Sequence, residues 1–274
     1  MTSNKRVEIN CDMGEGFGRW KLVHIRPLSL SFFIGLDEEL MPLIDVANVA
    51  CGFHGGDPSA MLKTVRLAKK HNKLVGAHPG LPDLLGFGRR PMQVDPDDMF
   101  ASVLYQVGAL KTVLKSEGMK LAFVKPHGEL YSYLQRDNLI REAVVRAVAT
   151  FEVPLYGLPT EALAETCGQH GVELIPEFFP DIDYDTEGQL VPVGRSASVN
   201  PLIIKRRVKQ FASSGEVTTS SGTRVCLPGF RIWGQGPRGF TVCIHSDLPG
   251  AVENAVAAKE AIEEVLSSED TVVT

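Results

Sequence analysis

No two of the five cysteines, Cys11, Cys51, Cys167, Cys226 and Cys243, stand at CxxC spacing. An odd, scattered set of this kind argues against both a disulfide framework and a zinc knuckle, so a reducing compartment is expected. The longest apolar stretch, LSLSFFIGL at residues 28 to 36, is about half the ~20 residues that a bilayer-spanning helix needs. The opening MTSNKRVEINCD enters strand-like alternation without an apolar signal region, so a cytoplasmic, membrane-free chain is expected. Basic charge is not in excess: the formal net charge is -5, the pI is near 5.8, and the one basic run is Lys205-Arg206-Arg207. Nucleic acid is therefore not an expected partner. GxxxxGK[ST], HExxH and GxSxG are all missing, and GEGFG (14 to 18) does not match GxGxxG. These gaps leave the usual phosphate cradles, the helical zinc-protease site and the nucleophile elbow unsupported.

What the chain does contain is a regular alternation of short apolar runs with longer segments of helical period, the pattern of repeated βα units around a mostly parallel sheet. About seven runs read as strands: residues 7 to 11, 46 to 51, 74 to 78, 122 to 126, 154 to 158, 173 to 179 and 240 to 246, with TRVCL (223 to 227) as a further candidate. Asp57-Pro58 reads as a helix start, and apolar stripes run through 99 to 115, 139 to 149 and 251 to 266. No repeat or linker divides the 274 residues, which predicts one (β/α)-barrel domain over 1 to 274.

Ionisable residues cluster just past the strand ends. Asp12 and Glu15 follow the first strand, His54 and Asp57 the second, and His78, Asp83, Arg89 and Arg90 the third. Lys125, His127 and Glu129 follow the fourth, Glu177 and Asp181 the sixth, and His245 and Asp247 the last. In a (β/α) barrel all of these loops meet at one mouth, where active sites sit. An open doubly wound sheet would use two or three loops at a switch point, so the closed barrel is the favoured α/β architecture.

His54 lies among Gly52, Gly55 and Gly56, where the main chain can approach a small molecule closely. Lys125 and His127 stand at i and i+2, on one face of an extended strand end. Asp12, His54, His78 and His127 could supply the carboxylate and imidazoles of a zinc or manganese site, but no HxH pair fixes a chelate, and the metal stays open. The strand cysteines read as small buried hydrophobes.

The blocks INCDMGEGFG, ANVACGFHGGDPSAM, GAHPGLPDLLGFGRRPM, YQVGALK and VKPHGELY, with the weaker EFFPDIDYDTEGQLVP and CIHSDLP, run in order along the chain. Together they resemble the LamB/YcsF family, whose members include the A subunit of the prokaryotic ATP-dependent 5-oxoprolinase and fungal lactam-utilisation proteins. The resemblance implies a distorted seven-stranded barrel similar to the carbohydrate-deacetylase barrels. It also implies opening of the 5-oxoproline lactam to glutamate, coupled to ATP hydrolysis, by a protein that works with two partner subunits. The missing phosphate loop fits a chain that holds no ATP by a familiar motif. Carried over by motif, Asp12, His54, His78, Lys125 and His127 become candidate catalytic residues, and Glu15, Arg89, Arg90 and Glu129 candidate substrate-binding residues. On this reading Asp12 or a histidine is the base, Lys125 stabilises the oxyanion, and Arg89 or Arg90 holds the substrate carboxylate.

Two readings of other kinds use the same rim: a metal-dependent amidohydrolase or carbohydrate deacetylase, and a non-catalytic subunit that binds small carboxylates. The family pattern near residue 177 is closer to EVFADRxY, so Ile182 stands where that pattern has an arginine, and HSDLP stands where it has HGDTP. About a dozen extra residues between FGRWK and DEELM form an atypical insert at about 22 to 35, which a retained intron read through in translation would explain.

Overall fold

Period-two alternation is the local cause of the architecture, because successive side chains of a strand point to opposite faces. A computed structural model describes residues 7–16, 36–196, 199–227 and 239–270; the expected insert at 22 to 35 lies outside them. The strands are β1 (Val7–Met13), β2 (Val46–Ala50), β3 (Leu74–His78), β4 (Leu121–Val124), β5 (Leu155–Gly157), β6 (Leu174–Phe178), β7 (Glu216–Thr218), β8 (Arg224–Cys226) and β9 (Phe240–Ile244). Seven of them, β1 to β6 and then β9, close into a barrel in which every pairing is parallel. The candidate strand at 223 to 227 is not a barrel stave. It contributes β8, which pairs antiparallel with β7 in a separate two-stranded sheet.

Crossovers between parallel neighbours need helices. These are α1 (Asp37–Leu40), α2 (Pro58–Lys70), α3 (Pro96–Ser116), α4 (Gly128–Arg136), α5 (Asn138–Ala149), α6 (Glu161–Gln169), α7 (Pro201–Ser214) and α8 (Ala251–Asp270). The Asp57 carboxylate caps α2 by accepting from the Ala60 N–H at 2.8 Å, with Pro58 at the first turn. The expected stripe of α3 is buried through Met99, Val103, Val107, Leu110 and Leu114.

On β1 the outward set Ile9, Cys11 and Met13 joins the apolar layer beneath the helices. The inward set is Glu8, Asn10 and Asp12: Glu8 and Asn10 meet Tyr156 and Glu177 on non-adjacent strands, and Asp12 meets its register neighbour Asn48 on β2. Inside, Val46, Phe123 and Tyr156 make a small apolar plug, with the two rings stacked at 3.9 Å. Gly76 makes room for that plug, since a Cβ there would overlap the Phe123 ring. Polar groups fill the barrel toward the C-terminal strand ends. Among the described residues no helix is long and apolar enough to cross a membrane.

Candidate active site

Lys125 is 2% exposed, in the middle of the barrel. Its position follows from strand pairing continued past β4: the Lys125 N–H donates to the Ala77 carbonyl and the His127 N–H to the Pro79 carbonyl, both at 2.8 Å. The ammonium group lies 3.0 Å from Asn10 Oδ1, 3.1 Å from Asp12 Oδ1, 3.1 Å from Glu177 Oε1 and 2.9 Å from Cys243 Sγ. Burial pulls its pKa down, but Asp12, Cys243 and Glu177 outweigh that and hold it well above the usual lysine value. The converse holds for Asp12: burial raises its pKa, and His78 and Lys125 lower it by more, leaving it well below the ordinary carboxylate range. The Asn48 amide donates to the same Asp12 oxygen at 2.8 Å. A buried charge pair with its remaining valences satisfied is the arrangement that tolerates low dielectric.

Beside this pair stand three buried histidines. His54 stacks on His127 with centroids 3.8 Å apart and planes 5° from parallel, while His78 meets both rings edge-on. His54 Nε2 lies 3.2 Å from Glu15 Oε1, and His127 Nδ1 lies 3.5 Å from the same oxygen. Burial, reinforced by Asp12 and Asp247, raises the Glu15 pKa well above its usual value. Burial likewise lowers His54 and His127, helped by the neighbouring histidines. The donor atoms of Glu15, His54, His78 and His127 lie within 4.8 Å of one another, a set that could hold a metal ion. Gly88 allows this packing: it takes φ +64°, and a Cβ there would stand 2.6 Å from His54 Cβ.

A cavity of about 130 Å³ opens against this cluster, walled on its polar side by Asp12, His78, Arg89, Lys125, His127, Glu129 and His245. Phe179, Ile182, Leu190 and Val193 form the apolar wall. Arg89 reaches the cavity, held by Asp247 at 2.7 Å and lying over the Phe87 ring. Arg90 does not. It is largely exposed and ion-paired with Asp83 on the outer side of the loop, so of the two adjacent arginines only the first faces the cavity. Glu129 lines the cavity while pairing with Arg136, and Ile182 contributes an apolar surface where the family pattern has an arginine. Asp247 lies in the HSDLP departure and still anchors Arg89.

Sequence reasoning passed over Asn10 and Asn48, whose amides tie Asp12 and Glu177 together: Asn10 Nδ2 donates to Glu177 Oε1 at 2.8 Å, and Asn48 Nδ2 donates to Asn10 Oδ1 at 2.7 Å. Their signal was period two: Asn10 shares the inward face with Asp12. Cys243 is buried as expected, but it touches the Lys125 ammonium group rather than apolar neighbours alone. His245 is anchored by Asp181, whose carboxylate accepts from the His245 main-chain N–H at 2.7 Å.

The profile of the LamB/YcsF family matches residues 7–272. The chain belongs to the LamB/YcsF family. Among its relatives in that family, the lactam utilization protein lamB of Emericella nidulans is 41% identical over 260 residues, covering 95% of each chain. The A subunit of 5-oxoprolinase from Thermus thermophilus is 41% identical over 263 residues, covering 94% of this chain and 96% of its own. The crystal structure of the lactam utilization protein from Thermus thermophilus superposes with a TM-score of 0.79 at 40% identity, over 94% of this chain and 96% of that one. LamB/YcsF membership and the closed barrel therefore agree over nearly the whole length.

Proposed function

We propose that this chain opens the lactam ring of 5-oxoproline to glutamate as the A-type subunit of an ATP-hydrolysing 5-oxoprolinase, acting with two partner subunits. The observation that carries this reading is one small cavity in which a buried carboxylate (Asp12), a buried cation (Lys125) and an anchored guanidinium (Arg89) face the same space. Relatives named as the A subunit of 5-oxoprolinase and as lactam utilization protein, at about 41% identity, support the substrate class.

Opening a lactam adds water across an unreactive C–N bond. Asp12, held ionised, takes a proton from water as the oxygen bonds to the carbonyl carbon, then returns it to the ring nitrogen as the C–N bond breaks. Negative charge grows on the carbonyl oxygen between those events. Lys125 already meets four acceptors with three N–H groups, so its contact with the Cys243 thiol, the weakest acceptor, is the one that yields to the oxyanion. Arg89, oriented by Asp247, takes the substrate carboxylate by a forked contact. We assign the binding of ATP, and the coupling of its hydrolysis to this step, to the partner subunits.

Arg89→Ala should raise KM for 5-oxoproline by about 10- to 100-fold, the worth of a charge-assisted hydrogen bond, with a smaller change in kcat. Arg90→Ala should stay within about twofold, because that side chain serves Asp83. Equal KM effects at the two positions, in steady-state assays of the assembled complex, would remove the clamp from the account. The donor cluster at Glu15, His54, His78 and His127 favours a second reading, a metal-dependent amidohydrolase. That reading requires hydrolysis without ATP that a chelator abolishes.

A further inference from the structure

The histidine cluster contains a contact that neutral rings do not satisfy by themselves. His78 Nδ1 lies 2.7 Å from the Lys125 carbonyl oxygen, and His127 Nε2 lies 2.8 Å from the Phe87 carbonyl oxygen. A carbonyl offers no proton, so in each ring the N–H is on the nitrogen that faces the main chain. The remaining nitrogens, His78 Nε2 and His127 Nδ1, face one another at 3.0 Å. In neutral rings both present lone pairs, which repel unless a cation lies between them. Carboxylate oxygens flank the gap: Asp12 Oδ1 is 3.3 Å from His78 Nε2, and Glu15 Oε1 is 3.5 Å from His127 Nδ1.

We propose that a divalent metal ion of the zinc class binds between His78 Nε2, His127 Nδ1 and Glu15 Oε1. A metal lies near the plane of each imidazole that it binds. The His78 and His127 rings are 88° apart, so their planes cross and one ion can lie in both. His54 is not a ligand, because its ring is stacked parallel to His127 and one ion cannot lie in two parallel planes. It serves instead as the outer partner of the Glu15 carboxylate, at 3.2 Å, a role commonly found behind metal-bound groups. Two imidazoles and one carboxylate form a borderline donor set suited to zinc, and three protein ligands leave a position open. His78 and His127 both line the cavity, so that position faces the substrate space. The inference stands on ring orientation and is independent of the identity of the substrate.

The test uses the full chain, stripped with a chelator and titrated with Zn²⁺ by calorimetry, alongside histidine ¹⁵N NMR of the same unsubstituted protein. A single equivalent should bind, with large shifts at His78 Nε2 and His127 Nδ1 and none at the His54 nitrogens. His54→Gln should weaken binding by about 10- to 100-fold, as loss of an outer partner does, and His127→Gln by more than that. If His127→Gln fails to fold, the NMR result on the unsubstituted chain still decides. Absence of saturable binding overturns the proposal, as does a proton shared between His78 and His127 that persists in excess Zn²⁺. Binding that shifts His54 as a direct ligand overturns it as well.

Discussion

Replacing Lys125 by methionine is expected to destabilise the protein by about 3–5 kcal/mol at neutral pH, the cost of stripping one partner from a buried ion pair. The ammonium group is the shared counter-charge of Asp12 and Glu177, each at 3.1 Å and each almost wholly out of solvent. Methionine has similar reach and fills the space, so the loss is electrostatic rather than a cavity effect. The pH dependence separates the two. With Lys125 gone, Asp12 loses one of the charges that hold its pKa down against burial and binds protons more readily in the folded variant than in the folded parent, so the deficit should shrink as pH falls. A second change, Lys125→Met with Asp12→Asn, should recover part of it. Urea unfolding followed by circular dichroism at neutral and acid pH measures this, and a deficit below about 1 kcal/mol at neutral pH would mean that Lys125 is not the counter-charge of the barrel interior.

Asp12→Asn carries the largest expected effect on turnover, a drop of about 10²- to 10⁴-fold, the usual contribution of a positioned acid–base group. Asparagine preserves the shape and can still accept from Asn48 and Lys125 through its carbonyl oxygen, but it cannot take a proton from water. The stability signature has a definite sign. The folded pKa of Asp12 is depressed, burial being overcome by His78 and Lys125, so its contribution is present above the unfolded value of about 3.9. That contribution is lost as pH falls through the folded value. The variant should therefore lose stability relative to the parent at neutral pH and converge with it in acid. Assays of the assembled complex at saturating lactam decide the catalytic part, and turnover within about tenfold of the parent would assign the base elsewhere.

Much of this site was legible in the sequence because barrel strands write their function at one end. Asp12, His78, Lys125 and His127 each follow an apolar run of strand length, and closure of seven parallel strands brings those run ends to one mouth. The helices with clean caps were legible for local reasons, as with Asp57 before α2. Asn10 and Asn48 were only half legible: period two puts Asn10 on the inward face with Asp12, but its partners Lys125 and Glu177 are set by closure of the barrel, and Asn48 gains its role by bonding Asn10 and Asp12. The choice between Arg89 and Arg90 was equally hidden. It depends on the path of the loop after Gly88, which turns consecutive residues to opposite sides, one to Asp247 and one to Asp83. α4 was concealed as well: Gly128 follows the extended Lys125-Pro126-His127 segment and reads as a turn, yet it opens a helix whose N-cap is His127. The candidate at 223 to 227 is a strand, β8, but its sheet was not legible, because a three-residue strand carries the same local pattern in a side hairpin as in a barrel.

The most direct measurement is production of glutamate from 5-oxoproline by this chain combined with the two partner subunits proposed for it, with and without ATP. The account predicts glutamate formation that needs all three subunits, consumes ATP and disappears when the Asp12→Asn chain is substituted into an intact complex. Glutamate formation that persists at the parent rate with Asp12→Asn, or lactam opening by the partners alone, would contradict it.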